Sequence, residues 1–157
     1  MIDLKTPPSS KEIGLEVEAI GHQWWWEFSY PNDNIHIQTL PPNYSDLTPP
    51  KLVVPVGVTV LVRVRSLDVV HSFYIPKFYY KIQAVPGTVN LMHFKVEKPG
   101  IYIGQCVQFC GLRHSDMRFV IEALEKDDYA RWLNETKRAQ QRTETMPTPE
   151  VEETRKQ

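Results

Sequence analysis

Apolar and polar residues alternate along much of the first 124 residues, a pattern typical of β-strands with one buried face. The clearest example is the stretch in which Val58, Val60, Val62 and Val64 alternate with the residues between them. Pro-Asn, Pro-Pro and Pro-Gly turn signals bound the other predicted strands, which are 15–20, 24–30, 35–39, 51–54, 71–75, 89–96, 100–105 and 118–124. Many short strands in series indicate an all-β sandwich or barrel.

The pattern changes to a helical period near residue 126. A helix is predicted to begin at Lys126 or Asp127 and to carry Tyr129, Trp132, Leu133 and Thr136 on one face. The residues after it have no hydrophobic face and mix both charges, which predicts a disordered tail. The predicted organisation is a linker over 1–13, one domain over 14–125, a helix over 126–138 and a tail over 139–157.

Composition agrees with a single folded domain. The chain has 157 residues, and 41% of them are hydrophobic, which is enough for one core of ordinary size. No stretch approaches the ~20 apolar residues that a spanning helix needs. Residues 1–124 contain 11 Lys plus Arg and 11 Asp plus Glu. A balanced charge predicts weak long-range steering and no nucleic-acid partner.

Two thiols, an imidazole and a thioether lie close together in the run Cys106-Val-Gln-Phe-Cys110-Gly-Leu-Arg-His114-Ser-Asp-Met117. A structural zinc site needs four Cys or His ligands, so this set is one short and has a Met that zinc would not use. A mononuclear blue-copper site takes two His, one Cys and an axial Met. Cys106 is then left over, as a second copper bridged by both sulfurs would require. His71 is the best candidate for the second imidazole.

Other interpretations of these residues stay open at this point. The two Cys could be buried apolar residues or a disulfide, and Met117 alone would more often belong to a core. The remaining histidines do not fit the spacing of the loop and are predicted to be structural or surface residues: His22, His36 and His93.

Four segments together resemble one known family. His71-Ser-Phe, Gly104-Gln-Cys106-Val-Gln-Phe-Cys110-Gly111, His114-Ser-Asp-Met117 and Gly21-His22-Gln23-Trp24-Trp25-Trp26-Glu27-Phe28 resemble the dinuclear copper (CuA) domain of cytochrome c oxidase subunit II. The resemblance runs from about Gly14 to Leu124. It implies a cupredoxin-like Greek-key β-sandwich with the copper loop joining two strands at one end.

The resemblance also implies a role for each residue of the loop. His71 and His114 would cap two coppers that Cys106 and Cys110 bridge, while Met117 and the backbone carbonyl of Gln108 would be weak ligands. The domain would carry electrons and would have no catalytic residue of its own. Because Gln108 replaces a Glu that helps the family bind magnesium, and a neutral amide suits that hard cation less well, the resemblance gives little support for magnesium.

The same resemblance implies partners and a location. The donor would be cytochrome c, the acceptor a haem in subunit I of a terminal oxidase, and the native protein would be anchored by membrane helices on the extracytoplasmic face of a bacterial inner membrane. No Cys-x-x-Cys-His haem motif occurs in the sequence, so the donor is expected to be a separate molecule or subunit. Four acidic residues are candidates for guiding a basic donor: Glu27, Asp33, Asp68 and Asp116.

Trp24 is implied to be an exposed ring where the donor docks and its electron is received. Strand geometry places Trp25 on the opposite face from Trp24 and Trp26, so one or two of the three belong to the core. The alternative is that all three fill the sandwich.

Two other functions compete with the oxidase subunit. A nitrous oxide reductase has a similar copper domain, although it needs a second large copper domain. A copper-delivery protein would use the same soft ligands without relaying electrons. The number of coppers bound per chain separates a copper-delivery protein from one that relays electrons.

Overall fold

The computed structural model describes residues 8–37 and 48–145, and they form two facing β-sheets followed by one helix. The ten strands are β1 (Ile13–His22), β2 (Trp25–Tyr30), β3 (Ile35–Ile37), β4 (Lys51–Pro55), β5 (Thr59–Ser66), β6 (His71–Ile75), β7 (Tyr80–Ala84), β8 (Asn90–Lys95), β9 (Gly100–Cys106) and β10 (Arg118–Leu124). The helix α1 spans Lys126–Thr145. The all-β prediction with a C-terminal helix is confirmed.

Each sheet has five strands. The first has the order β3-β2-β1-β5-β8 and the second the order β4-β10-β9-β6-β7. Most neighbours are antiparallel, but β1 pairs with β5 and β10 pairs with β4 in parallel. The parallel pairs need long crossover connections between the sheets, as in a sandwich and unlike a simple meander.

The core lies between the sheets and is rich in aromatic rings. Alternate residues of β2 place Trp26, Phe28 and Tyr30 inward, and all three are fully buried. Phe73 of β6 stacks on Phe119 of β10 at 4.2 Å between ring centroids, and Trp26 meets the edge of Phe73 at 5.1 Å. This packed layer forms the floor beneath one end of the sandwich.

The alternating valines of β5 behave as predicted. Val60, Val62 and Val64 are fully buried, whereas Val58 lies just before the strand and is only partly covered. The other predicted strands are also present, within a residue or two at the ends that the structure describes. The strand predicted over 35–39 is described only as far as Ile37.

Two sequence predictions need correction. β7 was not predicted; it lies at the edge of the second sheet, and of its five residues only Ala84 is fully buried. The helix was predicted to end at 138 but continues to Thr145, so residues 139–145 are not a disordered tail. Gln140 accepts from the backbone N–H of His36 and donates to the carbonyl of Asn34, which gives this extra length a tertiary contact.

The remaining predictions for the termini lie partly outside the described residues. Positions 1–7 of the predicted linker and 146–157 of the predicted tail are not described. β1 begins at Ile13, at the end of that linker. Tyr129, Trp132 and Leu133 of α1 pack against the core, as their helical spacing predicted. No helix among the described residues is long and apolar enough to cross a membrane.

Candidate metal centre

The candidate ligands meet at one end of the sandwich because of how three strands are placed. β6 begins at His71 and β9 ends at Cys106, and these strands are antiparallel with Phe73 opposite Cys106. The segment 107–117 then connects β9 to β10 and includes a short 3-10 turn over His114–Asp116. Strand register therefore places His71 and the first thiol at the same edge.

The candidate ligand atoms lie close to one another at this edge. One ring nitrogen of His71 and the sulfurs of Cys106 and Cys110 all lie within 4.8 Å of one another. The Cys110 sulfur is 3.5 Å from His114 Nδ1 and 3.8 Å from the Met117 sulfur. The sequence-predicted ligands are thus brought together, and both cysteines are free thiols.

The backbone carbonyl of Gln108 lies beside the first thiol. Its oxygen lies 3.3 Å from the Cys106 sulfur, while the Gln108 side chain is in an exposed stretch of the loop. A carbonyl in this position could serve as a weak oxygen ligand whatever the side chain is. The replacement of Glu by Gln therefore leaves this contact intact.

Most of the candidate ligands are more deeply buried than is usual for side chains with polar or ionisable atoms. His71 is 0% exposed, Cys106 and Cys110 are 6% and 5% exposed, and Met117 is 1% exposed. Nδ1 of His71 is buried and has no hydrogen-bond partner among the described residues. A buried nitrogen without a partner beside two thiols is costly unless it binds something. The donor set fits a soft, imidazole-binding metal such as copper.

Ionisation of the two thiols differs. Burial would raise the pKa of Cys106, but the neighbouring His71 ring and the backbone of Ser72 and Gln108 outweigh burial and lower it. Burial and the neighbouring Cys106 thiolate raise the pKa of Cys110 to about 12. Burial alone would lower the pKa of His71, but the Cys106 thiolate and Asp68 raise it above its ordinary value. A metal cation would favour both thiolates by displacing these protons.

Asp68 contacts His71 directly, which sequence analysis did not predict. Its Oδ1 accepts from His71 Nε2 at 2.7 Å, and its carboxylate also accepts from the backbone N–H groups of Gln23 and Val69, each at 2.6 Å. Partial burial would raise the pKa of Asp68, but these hydrogen bonds lower it. The Asp-x-x-His spacing was the only sequence signal for this contact.

The turn between β1 and β2 lies against the loop. Gln23 Nε2 and Trp24 Nε1 both donate to the carbonyl oxygen of Cys110, at 2.8 and 3.1 Å. Trp24 is half-buried and packs against the core, so its ring is less exposed than predicted, and its role in docking stays a prediction. It also lies in the turn before β2 and not on the predicted strand, while Trp26 is fully buried.

Two glycines make room for this arrangement. A Cβ on Gly21 would lie 2.7 Å from Cδ2 of the His71 ring. Gly111 has a φ of +123°, a region that favours glycine, and a Cβ there would lie 2.9 Å from Trp24 Nε1. Both glycines belong to the segments that carry the family resemblance, and contact with the site is a physical reason for each.

Most of the other histidines and acidic candidates contact residues that are not candidate ligands. His22 stacks on Trp25 at 4.1 Å and pairs with Glu27 at 2.9 Å. Asp33 pairs with Lys137, and Asp116 pairs with Arg113. His36 is exposed, and the ring of His93 lies near that of Tyr80. Of the four predicted acidic candidates, Asp68 is the one in contact with a candidate ligand.

Apolar side chains surround the cluster on the surface. They come from the loop before His71 and from the segment 107–113, and they are Leu67, Val69, Val70, Val107, Phe109 and Leu112. Phe109 is 77% exposed and Leu112 is 90% exposed. We call this set the apolar rim. Exposed apolar groups next to a metal-ligand cluster are typical of a surface that meets another protein.

Together, the two-sheet sandwich and the His/Cys cluster between its strand ends define a cupredoxin-like metal-binding domain. The family described as cytochrome c oxidase subunit II, periplasmic domain, matches residues 15–124. The chain belongs to this family. The predicted resemblance is therefore confirmed, and the nitrous oxide reductase and copper-delivery alternatives are not favoured.

Individual relatives agree with the family. The chain is 38% identical over 131 residues to cytochrome c oxidase subunit 2 of Metridium senile, covering 76% of this chain and 53% of the relative. It is 34% identical over 132 residues to a probable cytochrome c oxidase subunit 2 of Rickettsia felis, covering 78% and 42%. The chain therefore spans about half the length of these relatives.

A solved structure shares the fold. The periplasmic domain of subunit II of cytochrome oxidase (CoxB) of Bradyrhizobium japonicum superposes with a TM-score of 0.72 at 33% identity, covering 81% of this chain and 96% of that chain. The match covers nearly all of that solved domain. The cupredoxin-like sandwich is therefore the fold that this family uses for its periplasmic domain.

Proposed function

We propose that this chain is the electron-transfer domain of a haem-copper terminal oxidase. It would accept electrons from cytochrome c at a dinuclear copper centre and pass them to haem in subunit I. The observation that carries the proposal is the convergence of two thiols, two imidazoles and a thioether at one buried end of the domain. The family match supports the same function.

The family resemblance implies the ligand roles, and the distances between these side chains support them. His71 and His114 would each cap one copper, Cys106 and Cys110 would bridge, and Met117 and the Gln108 carbonyl would be weak ligands. Copper would supply one-electron redox chemistry at this site. Two thiolates account for two metals, since one blue-copper centre needs a single Cys. No residue of the domain needs to break a bond in a substrate.

The protein's own contribution is to restrain the ligand side chains and to shield them from solvent. The Phe73–Phe119 stack and Trp26 lie beneath the cluster, so the ligand side chains rest on a close-packed floor. Ligands that move little when the metal changes charge favour fast electron transfer, and the surrounding shell tunes the reduction potential. The soft donor set offers little to magnesium, which prefers oxygen ligands.

Partners and location complete the proposal. The apolar rim and Trp24 would meet cytochrome c or the neighbouring oxidase subunit. The whole subunit would be anchored in a membrane, with this domain on the extracytoplasmic side; the periplasmic description of the family and of the Bradyrhizobium structure supports that side. Oxygen reduction itself would belong to other subunits.

Metal analysis combined with electron paramagnetic resonance tests the function. After refolding with copper, the chain should bind two coppers and give a mixed-valence signal with the unpaired electron shared between two nuclei. One copper at saturation with a mononuclear blue-copper spectrum would contradict the proposal. One weakly bound Cu(I) without a mixed-valence signal would indicate copper delivery instead.

A further inference from the structure

We propose that Gln23 and Asp68 are positioning residues that connect His71 to Cys110 through a hydrogen-bonded bridge and so preset the spacing of these two ligands. The inference rests on the proposed copper centre. The bridge runs from the His71 ring to the Asp68 carboxylate, from that carboxylate to the backbone N–H of Gln23, and from the Gln23 side chain to the Cys110 carbonyl.

The Asp68 end decides which nitrogen of His71 faces the cluster. A carboxylate only accepts hydrogen bonds, so the ring must donate from Nε2 to Oδ1 at 2.7 Å. Nδ1 is then left as the nitrogen for a metal, and it is the buried atom without a hydrogen-bond partner among the described residues. A carboxylate behind a ligating imidazole fixes its tautomer and ring orientation. The absence of a side chain at Gly21 leaves room for the same ring, since a Cβ there would lie 2.7 Å from its Cδ2.

At its other end, the bridge holds a part of the loop that sheet pairing does not position. β6 and β9 pair at Phe73 and Cys106, and Cys110 lies past the end of that ladder. Its carbonyl accepts from Gln23 Nε2 at 2.8 Å and from Trp24 Nε1 at 3.1 Å. Both donors come from the turn between β1 and β2, in the opposite sheet. The position of Cys110 therefore depends on that turn.

Because the same turn holds both ends, the two ligands are coupled. The backbone N–H of Gln23 contacts Asp68 at 2.6 Å, and its side chain reaches Cys110. A displacement of the turn would change the His71 and Cys110 positions together. The bridge restrains an imidazole on a strand and a thiol on a loop that have no direct backbone pairing.

Three variants test the bridge in the full chain. Gln23→Met keeps the length of the side chain and removes its N–H donors. Asp68→Ala removes the acceptor for His71, and Asp68→Asn keeps one carbonyl acceptor. The matched controls are Gln83→Met, at an exposed position of β7, and Asp128→Ala, in an exposed ion pair on α1. Copper affinity by competition, the reduction potential and the electron paramagnetic resonance spectrum are measured for each.

We expect Asp68→Ala to lose copper affinity by on the order of 10- to 100-fold, the usual effect of removing a partner behind a metal ligand. Gln23→Met should weaken affinity less, since Trp24 still donates to Cys110, but should shift the potential and the copper hyperfine pattern. Asp68→Asn should recover part of what Ala loses. The controls should match the wild-type protein in all three measurements.

Unchanged affinity, potential and spectrum in both Gln23→Met and Asp68→Ala would overturn the bridge while leaving the copper centre intact. Failure of the wild-type chain to bind copper would overturn the centre and the bridge together. If a variant does not fold, nitrogen NMR of the wild-type protein with Cu(I) gives a second test. It should show a protonated Nε2 and a metal-bound Nδ1 on His71, and metal on Nε2 would refute the bridge.

Discussion

The candidate centre has two halves that are positioned by different means. His71 and Cys106 form the strand half, because they lie at the ends of β6 and β9 and are set by sheet pairing. Cys110, His114 and Met117 form the loop half, in the segment between β9 and β10. The loop half is fixed by local turns and by side chains from other segments, such as Gln23. The difference teaches that a substitution can act first on one half and reach the other through the hydrogen bonds of Gln23 and Asp68.

The largest effect should come from removing one thiol from either half. Cys106→Ser and Cys110→Ser should each abolish the mixed-valence copper signal, because a hydroxyl is a hard and weakly acidic substitute for a bridging thiolate. Copper per chain and the electron paramagnetic resonance spectrum measure the loss. A normal dinuclear signal in Cys110→Ser would mean that the loop half does not bridge the metals.

A substitution beneath His71 should act first on the strand half. Gly21→Ala would place a Cβ 2.7 Å from the imidazole, and such overpacking typically costs about 1–3 kcal/mol of unfolding free energy. We expect that cost in denaturant unfolding of the copper-free protein, together with weaker copper binding.

Gly14→Ala is the matched control for this prediction. Its Cβ would lie 2.5 Å from Val58 Cγ1, near the other end of β1 and far along the strand from Gly21. It should lose comparable stability and keep the copper affinity of the wild-type protein. Equal loss of affinity in both variants would show that general destabilisation, and not contact with His71, explains the effect.

Substitutions of Trp24 should separate its role in donor docking from its hydrogen bond to Cys110 in the loop half. Trp24→Ala should slow electron transfer from reduced cytochrome c by the equivalent of about 2 kcal/mol, the usual loss at an interface hot spot. Trp24→Phe keeps an aromatic ring but loses the N–H that donates to Cys110. It should transfer electrons faster than Trp24→Ala and show a small change in the copper spectrum. Stopped-flow kinetics and the spectrum measure these two effects.

Thermal unfolding is the control for Trp24, since truncating a core Trp would cost about 3–5 kcal/mol. A loss of that size in Trp24→Ala with normal transfer kinetics would assign the ring to the core.

The smallest effect should come from Met117, at the end of the loop half. Met117→Leu removes a weak sulfur ligand and nearly conserves volume at a buried position, so unfolding free energy should fall by less than about 1.5 kcal/mol. Copper should be retained with a shifted reduction potential, measured by redox titration. Complete loss of copper would mean that Met117 contributes more than an axial contact.

Local patterns were sufficient for most of the fold and for the soft ligands. The alternation in β5 and the Cys-x-x-x-Cys-x-x-x-His-x-x-Met spacing lie within single segments, so they can be read from the sequence. β7 was missed although Tyr80, Ile82 and Ala84 alternate with Lys81 and Gln83, because a run of five residues is near the shortest length at which alternation indicates a strand. The helix end was missed because its last turns contact distant residues, Asn34 and His36.

The supporting contacts of the centre were harder to predict. Gln23 and Asp68 are far apart in sequence and meet only after β1 and β5 pair. Nothing local marks a Gln side chain as a partner of a distant backbone carbonyl. The half-buried position of Trp24 has the same origin, because its environment depends on Cys110 and Gly111. Such contacts are set by tertiary structure.

The parallel pairing of β1 with β5 has a consequence for the order in which the centre is assembled. This ladder joins distant segments, from Ile13 with Thr59 to Gly21 with Ser66, and non-local pairing of this kind slows folding. Cys106, Cys110, His114 and Met117 are neighbours in an unfolded chain, whereas His71 joins them only after β6 and β9 pair. Copper that meets the nascent chain would therefore find an incomplete site, and both thiols would be open to oxidation until the strands close. Loading after folding avoids the incomplete site, whereas the thiols are protected from oxidation only by rapid closure of the strands.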